Sequence, residues 1–133
     1  MARSPVHLWL PVVIYMAAIF YVSSLHEAPL PGNVSDKSAH TLAYVGLGLL
    51  TTRAAARGLP SRLSWRIALT AVAIVSAYGA SDELHQLFVA GRTADIYDLF
   101  ADTTGAVIAT AACWLWGILS IRSGTLGAGP HDV

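Results

Sequence analysis

A chain of 133 residues makes one compact unit and hardly two. Its eight basic and eight acidic side chains cancel, and charged residues are only 12% of the total while apolar residues are 55%. This balance excludes a disordered chain, a nucleic-acid binder held by net positive charge, and an ordinary soluble enzyme, and it points to a membrane protein.

The first apolar stretch, about 8–24, contains no Asp, Glu, Lys or Arg. Arg3 and the small run Val22-Ser23-Ser24 give it some likeness to a signal peptide, but its length favours a span that stays attached. The segment 25–35 carries Pro29, Leu30, Pro31 and Gly32 and reads as a turn or as a lid. A second stretch covers about 36–53 and opens with Asp36 and Lys37. The third covers about 67–89, uncharged until Asp82, and the tight connection Gly91-Arg92-Thr93-Ala94 leads out of it. The fourth covers about 95–121, with Asp98 and Asp102 in its first turns, and 123–133 reads as a flexible tail. Crossing the hydrocarbon takes about 20 helical residues, fewer where polar ends reach the interface. A soluble bundle shows a polar face on each helix, whereas 67–81 and 103–120 carry no charge on any face. The expected fold is all-α: one domain over 1–133, a transmembrane bundle of four helices.

Arg53, Arg57, Arg62 and Arg66 crowd the connection between the second and third stretches, Arg3 precedes the first and Arg122 follows the fourth. Only Lys37 and Arg92 lie at the other end. By the positive-inside rule both termini and the middle loop are cytoplasmic. Small residues recur at every fourth position, as Ala101, Gly105, Ala109 and Cys113 and as Ala73, Ala77 and Ser81, and such stripes permit close helix contact in lipid. Cys113, the single cysteine, excludes an intrachain disulfide and reads as a packing residue. Trp9 with His7, and Trp114 with Trp116, fit interfacial anchors.

The informative residues are the ones a bilayer disfavours. Lys37, His40 and Tyr44 share one helix face, as do Tyr78, Asp82 and His85, and as do Asp95, Asp98 and Asp102. At about 1.5 Å per residue, Asp82 and Asp102 lie roughly 10 Å below the outer ends of their helices. A charge at the bilayer centre costs about 2.5–3.5 kcal/mol, so several together need partners or water. In one reading Lys37 and Arg92 neutralise the carboxylates, with Arg92 tying the third and fourth spans through Asp95 or Asp98. His40, Tyr44 and Gln86 then close a network that only pins the helices. In the other, His40, Asp82, His85 and Asp98 form a reactive, water-accessible site, and Lys37, Tyr44, Gln86, Arg92 and Asp102 bind its ligand. Glu83 points about 100° away from Asp82 and fits the interface.

The available chemistry is definite. His40 and His85 suit a general acid or base near neutral pH. His40, His85, Asp82, Asp98 and Asp102 offer nitrogen and oxygen donors to a divalent metal, although H-E-x-x-H is absent. Arg92 and Lys37 suit a phosphate or carboxylate on a head group. Ser38 and Ser81 are hydroxyl nucleophiles in name, and packing or backbone bonding is their ordinary use. A transporter would show paired repeats or broken spans, and neither is present.

Asp36-Lys37-Ser38-Ala39-His40, followed by Tyr44, Gly46 and Gly48, resembles the first motif of the VanZ-like membrane proteins. Ser81-Asp82-Glu83-Leu84-His85-Gln86, followed by Phe88, Gly91, Arg92, Asp95 and Asp98, resembles their second, and Asp102, Thr103 and Gly105 match its continuation. The resemblance implies a bacterial protein of the inner membrane with an envelope role at the outer face. Its partners would be the lipid bilayer and an envelope lipid or glycan precursor, with no nucleic acid. The named member is linked to resistance to the glycopeptide antibiotic teicoplanin. No particular reaction is implied, so enzyme and binder both stand.

Orientation is directly testable. A cysteine introduced as Pro29→Cys is expected to react with an impermeant thiol reagent added outside the cell, and one introduced as Gly58→Cys is not. The reverse labelling pattern would turn the whole molecule over.

Overall fold

The computed structural model describes residues 4–25, 32–58 and 63–126, the side chains of 121–126 excepted. Four helices follow one another: α1 Pro5–Ser23, α2 Asp36–Ala55, α3 Trp65–Gln86 and α4 Ile96–Leu126. No strand occurs among the described residues, so the fold is an all-α bundle. Three helices are long and apolar enough to cross a membrane: Pro5–Ser23, Trp65–Gln86 and the Ile96–Ser120 part of α4. The expected fourth span, α2, has the length but not the apolar composition, and the other three helices all pack against it.

Local chemistry sets the helix starts. Ser35 caps α2, its hydroxyl accepting the Ser38 N–H at 3.2 Å, and Ser64 caps α3 through the Ile67 N–H at 3.3 Å. α3 ends three residues before the expected 89, where the chain turns through Gly91 at φ 78°. α4 runs five residues past the expected 121, into the stretch read as tail. Gly124 is the weakest helix former there, and a single glycine costs a helix only about 1 kcal/mol. The remainder of that tail, and the Pro29–Pro31 part of the expected lid, lie outside the described residues.

The core is built from Leu8 and Val12 of α1, Tyr44, Leu47 and Ala54 of α2, Val75 of α3 and Ala106 of α4. The outward surface is rich in large apolar side chains, among them Ile14, Leu69, Leu115 and Trp116, each at least 60% exposed, as a lipid-facing surface requires. Trp9 and Trp114 also face outward.

α2 and α4 run parallel and nearly touch backbone to backbone. A methyl group at Gly105 would meet the Thr41 carbonyl oxygen at 2.5 Å and the Val45 nitrogen at 2.9 Å. One at Gly48 would meet the Ala109 methyl at 2.7 Å. The small-residue stripe of α4 therefore serves the expected purpose, and Thr52 and Thr110 hydrogen-bond across the same buried seam at 3.2 Å. The stripe expected on α3 does not: Ala73, Ala77 and Ser81 face outward. α3 buries Ala71, Val75 and Gly79 instead, because Gly79 gives the space that the Asp102 carboxylate of α4 fills.

Gly105→Ala is expected to destabilise the bundle by about 1–3 kcal/mol through overpacking, although alanine is the better helix former. Gly32→Ala, with nothing within 4 Å, is the neutral control. Thermal unfolding in detergent would measure both.

Candidate functional site

α1 and α3 end where α2 and α4 begin, so these four termini share one end of the bundle. The ionisable residues singled out in the sequence gather there. The Ser35 cap fixes the first turn of α2, and the Ser35 and Ser38 hydroxyls lie 2.8 Å apart. That turn sends Lys37 across to α4.

Lys37 Nζ donates to Asp95 Oδ2 at 2.8 Å and to Asp98 Oδ1 at 2.6 Å. The ammonium also lies 5.8 Å from the centre of the Tyr97 ring. Lys37 thus takes the bridging role expected of Arg92, but it ties α2, rather than α3, to α4. Its hydrogen bond holds the Asp95 carboxyl, in the connection before α4, below its ordinary pKa.

One turn deeper, His40 Nδ1 donates to Asp102 Oδ1 at 2.9 Å. The direction follows from chemistry, since an ionised carboxylate only accepts. His40 Nε2 lies 4.0 Å from Asp98 Oδ2. Asp102 is fully buried and Asp98 nearly so. The Tyr44 ring lies parallel to His40, with centroids 6.4 Å apart, and its hydroxyl is buried without a partner among the described residues. Tyr78 donates to the Met16 carbonyl of α1 at 2.6 Å, which anchors that helix.

Asp82 is 3% exposed. Its Oδ2 accepts from Gln86 Nε2 at 3.3 Å, while its Oδ1 has no partner among the described residues. Glu83, which was expected to face the interface, is buried. Its Oε2 accepts the Asp95 N–H at 2.7 Å and its Oε1 accepts from Gln86 at 3.3 Å. The 100° offset from Asp82 turns it toward the connection into α4, where it fixes the start of that helix. Spacing alone gave no sign of this, because the wheel does not say which side that connection occupies.

His85 stands apart. Its Nε2 is 3.0 Å from the Ser24 hydroxyl, and its ring stacks on Phe20 at 4.2 Å. Both partners follow from α1 lying against that side of α3. Neither serine candidate is hydrogen-bonded to an imidazole among the described residues: Ser81 bonds the Tyr78 carbonyl and Ser38 bonds Ser35.

A cavity of about 290 Å³ opens beside this cluster. Tyr15, Ala18, Ile19 and Val22 of α1 form an apolar wall; the facing side carries Asp36, His40, Tyr44, Asp82, Gln86 and Arg92 among Ala39 and Ala43, and the surface they leave to the cavity is mainly apolar. Asp36 is the one charged lining residue that is not among the candidate site residues of the sequence. Arg92 places its Nε in the interior with no hydrogen-bond partner among the described residues. Two sets of groups lie close enough to share one cation: Asp36, His40 and Asp98, and His40, Glu83 and Asp102.

The VanZ/LLP1 family model matches residues 9–117. No curated protein and no solved structure matches the chain. The matched region takes in both sequence motifs and every residue of the cavity and cluster described above. With well over half of its length matched, the chain belongs to the VanZ/LLP1 family.

Proposed function

We propose that this protein spans a bacterial inner membrane with its polar end outward and binds there the anionic head group of an envelope amphiphile. The observation that carries this reading is Arg92. A guanidinium nitrogen buried without a partner costs free energy that an anionic ligand recovers, and arginine holds phosphate or carboxylate through paired N–H groups. The opposite wall, supplied by α1, suits an acyl or prenyl chain. His40, oriented by Asp102, adds a proton acceptor beside the ligand, so modification of the head group is compatible with the same site. An effect on teicoplanin susceptibility is the cellular form of this reading.

A purely structural role is favoured at one place, the Lys37 clasp on Asp95 and Asp98. It does not extend to Asp82, which no cation meets among the described residues.

Purified protein in dodecyl maltoside is expected to bind dioctanoyl phosphatidic acid in preference to dioctanoyl phosphatidylcholine, as read by native mass spectrometry. Arg92→Gln is expected to weaken that binding about tenfold or more, the value of a charge-assisted hydrogen bond. Equal binding of the two lipids, or an unaffected Arg92→Gln protein, would overturn the reading.

Asp82→Asn keeps the shape of the side chain and removes its charge. It is expected to melt like the wild type yet fail to restore the envelope phenotype, teicoplanin susceptibility included, of a deletion strain. If Asp82 held a buried cation as scaffold, Asp82→Ala would lower stability by about 3–5 kcal/mol. Full complementation by a normally melting Asp82→Asn protein would remove this residue from the site.

A further inference from the structure

The buried carboxylates exceed the cations that reach them. Asp82, Glu83, Asp98 and Asp102 are each at most 7% exposed. Among the described residues, their ion-pair partners are Lys37, which is shared with half-buried Asp95, and His40. Asp98 is served by Lys37, while Asp82, Glu83 and Asp102 have at most one imidazole between them. Among the described residues, two carboxylate oxygens, Asp82 Oδ1 and Asp102 Oδ2, are buried with no partner. Removing such charge from water without compensation costs several kcal/mol per ion. An anionic head group drawn in by Arg92 would add to the excess.

From the geometry of His40, Glu83 and Asp102 we infer a divalent-cation site. These three residues offer one donor atom each, all within 4.8 Å of one another, and they come from α2, α3 and α4 respectively. The His40 Nδ1 to Asp102 Oδ1 separation of 2.9 Å matches the edge of about 3 Å between adjacent ligands of an octahedral ion bound at about 2.1 Å. One imidazole with two carboxylates suits an oxygen-preferring first-row ion of the Mn²⁺ type better than a thiol-seeking one. The pull of Asp102 on His40 changes character when the ion binds. His40 exchanges tautomer: its Nδ1 proton passes to solvent while Nε2 takes one up, so the neutral imidazole gives its Nδ1 lone pair to the metal and the Asp102 carboxylate becomes a neighbouring ligand. The ion lies behind His40, which itself lines the cavity, and its positive charge offsets the carboxylates that would repel an anionic head group. The inference deepens the head-group reading of this cavity, but it stands on the carboxylates themselves.

The test is Mn²⁺ binding to full-length protein stripped with EDTA, in dodecyl maltoside without lipid, read by electron paramagnetic resonance. One tight Mn²⁺ per chain is expected, with spin-echo modulation from a directly bound imidazole nitrogen. Glu83→Gln and Asp102→Asn should each weaken binding by about 100-fold or more, beyond the usual cost of losing an outer partner, while Asp95→Asn leaves it unchanged. No tight site, a tight site without nitrogen modulation, or folded Glu83→Gln and Asp102→Asn proteins that bind as the wild type does would each overturn the inference. Should both variants fail to fold, Asp36→Asn decides, because Asp36 belongs only to the other His40 set: unchanged tight binding with nitrogen modulation supports the inference, and lost binding overturns it. Mn²⁺ binding that fails while phosphatidic acid still binds removes the cation site only. Mn²⁺ binding that persists without lipid selectivity removes the head-group reading only.

Discussion

The approach of α2 to α4 governs the rest of the molecule. Only glycine at 105 lets the α4 backbone reach the Thr41 carbonyl and the Val45 nitrogen, and Gly48 repeats the arrangement about one turn on against Ala106 and Ala109. This contact fixes the offset of the two parallel helices. The offset in turn sets His40 level with Asp102 and puts Lys37 within reach of both Asp95 and Asp98. The polar cluster is thus a consequence of apolar packing further along. Close packing of small residues, rather than burial of large ones, is how helices associate in lipid, where the hydrophobic effect between them is absent.

Against that rigid seam the third helix supplies what the first two cannot. Gly79 admits the Asp102 carboxylate, and the next turns bring Asp82, Glu83 and Gln86 to the same level. Glu83 then reaches back to the Asp95 amide, so the carboxylate that appears most peripheral on a helical wheel holds the beginning of α4 in place. The tight connection through Gly91 leaves Arg92 over the cavity instead of over the Asp95 and Asp98 carboxylates.

Much of this was legible in the sequence. Four helices, their order and the gathering of ionisable groups at one end follow from apolar runs and from i, i+3, i+7 spacing. The α4 stripe around Gly105 was legible for the same reason. What periodicity leaves open is azimuth: it says which residues share a face, not which neighbour that face meets. His85 shares a face with Asp82 in projection, yet α1 takes it through Ser24 and Phe20. Ala73 and Ala77 make as good a stripe as Ala71 and Val75, and the choice between them rests on where α4 lies. The partner of Asp98 depended on helix offset and side-chain reach, which favour Lys37 over Arg92 although Arg92 is nearer in sequence. The weak apolar character of α2 reflects its place among three other helices, since a helix screened by neighbours can keep polar groups that a lipid-facing one cannot.

Gly46 occupies a different position from the other close-packed glycines. A side chain there would run into the hydroxyl and ring of Tyr15, and Tyr15 is part of the apolar wall of the cavity. The wall belongs to α1, which the Tyr78 hydroxyl holds at Met16, within a turn of that contact. The bore of the cavity is therefore set in part by a residue that does not itself line it. A single methyl at this position would shift Tyr15 and change the room along the apolar wall, while His40, Asp82 and Asp102 are not among the atoms it would meet. On the proposed reading of the cavity, tail length and head-group chemistry are separately adjustable.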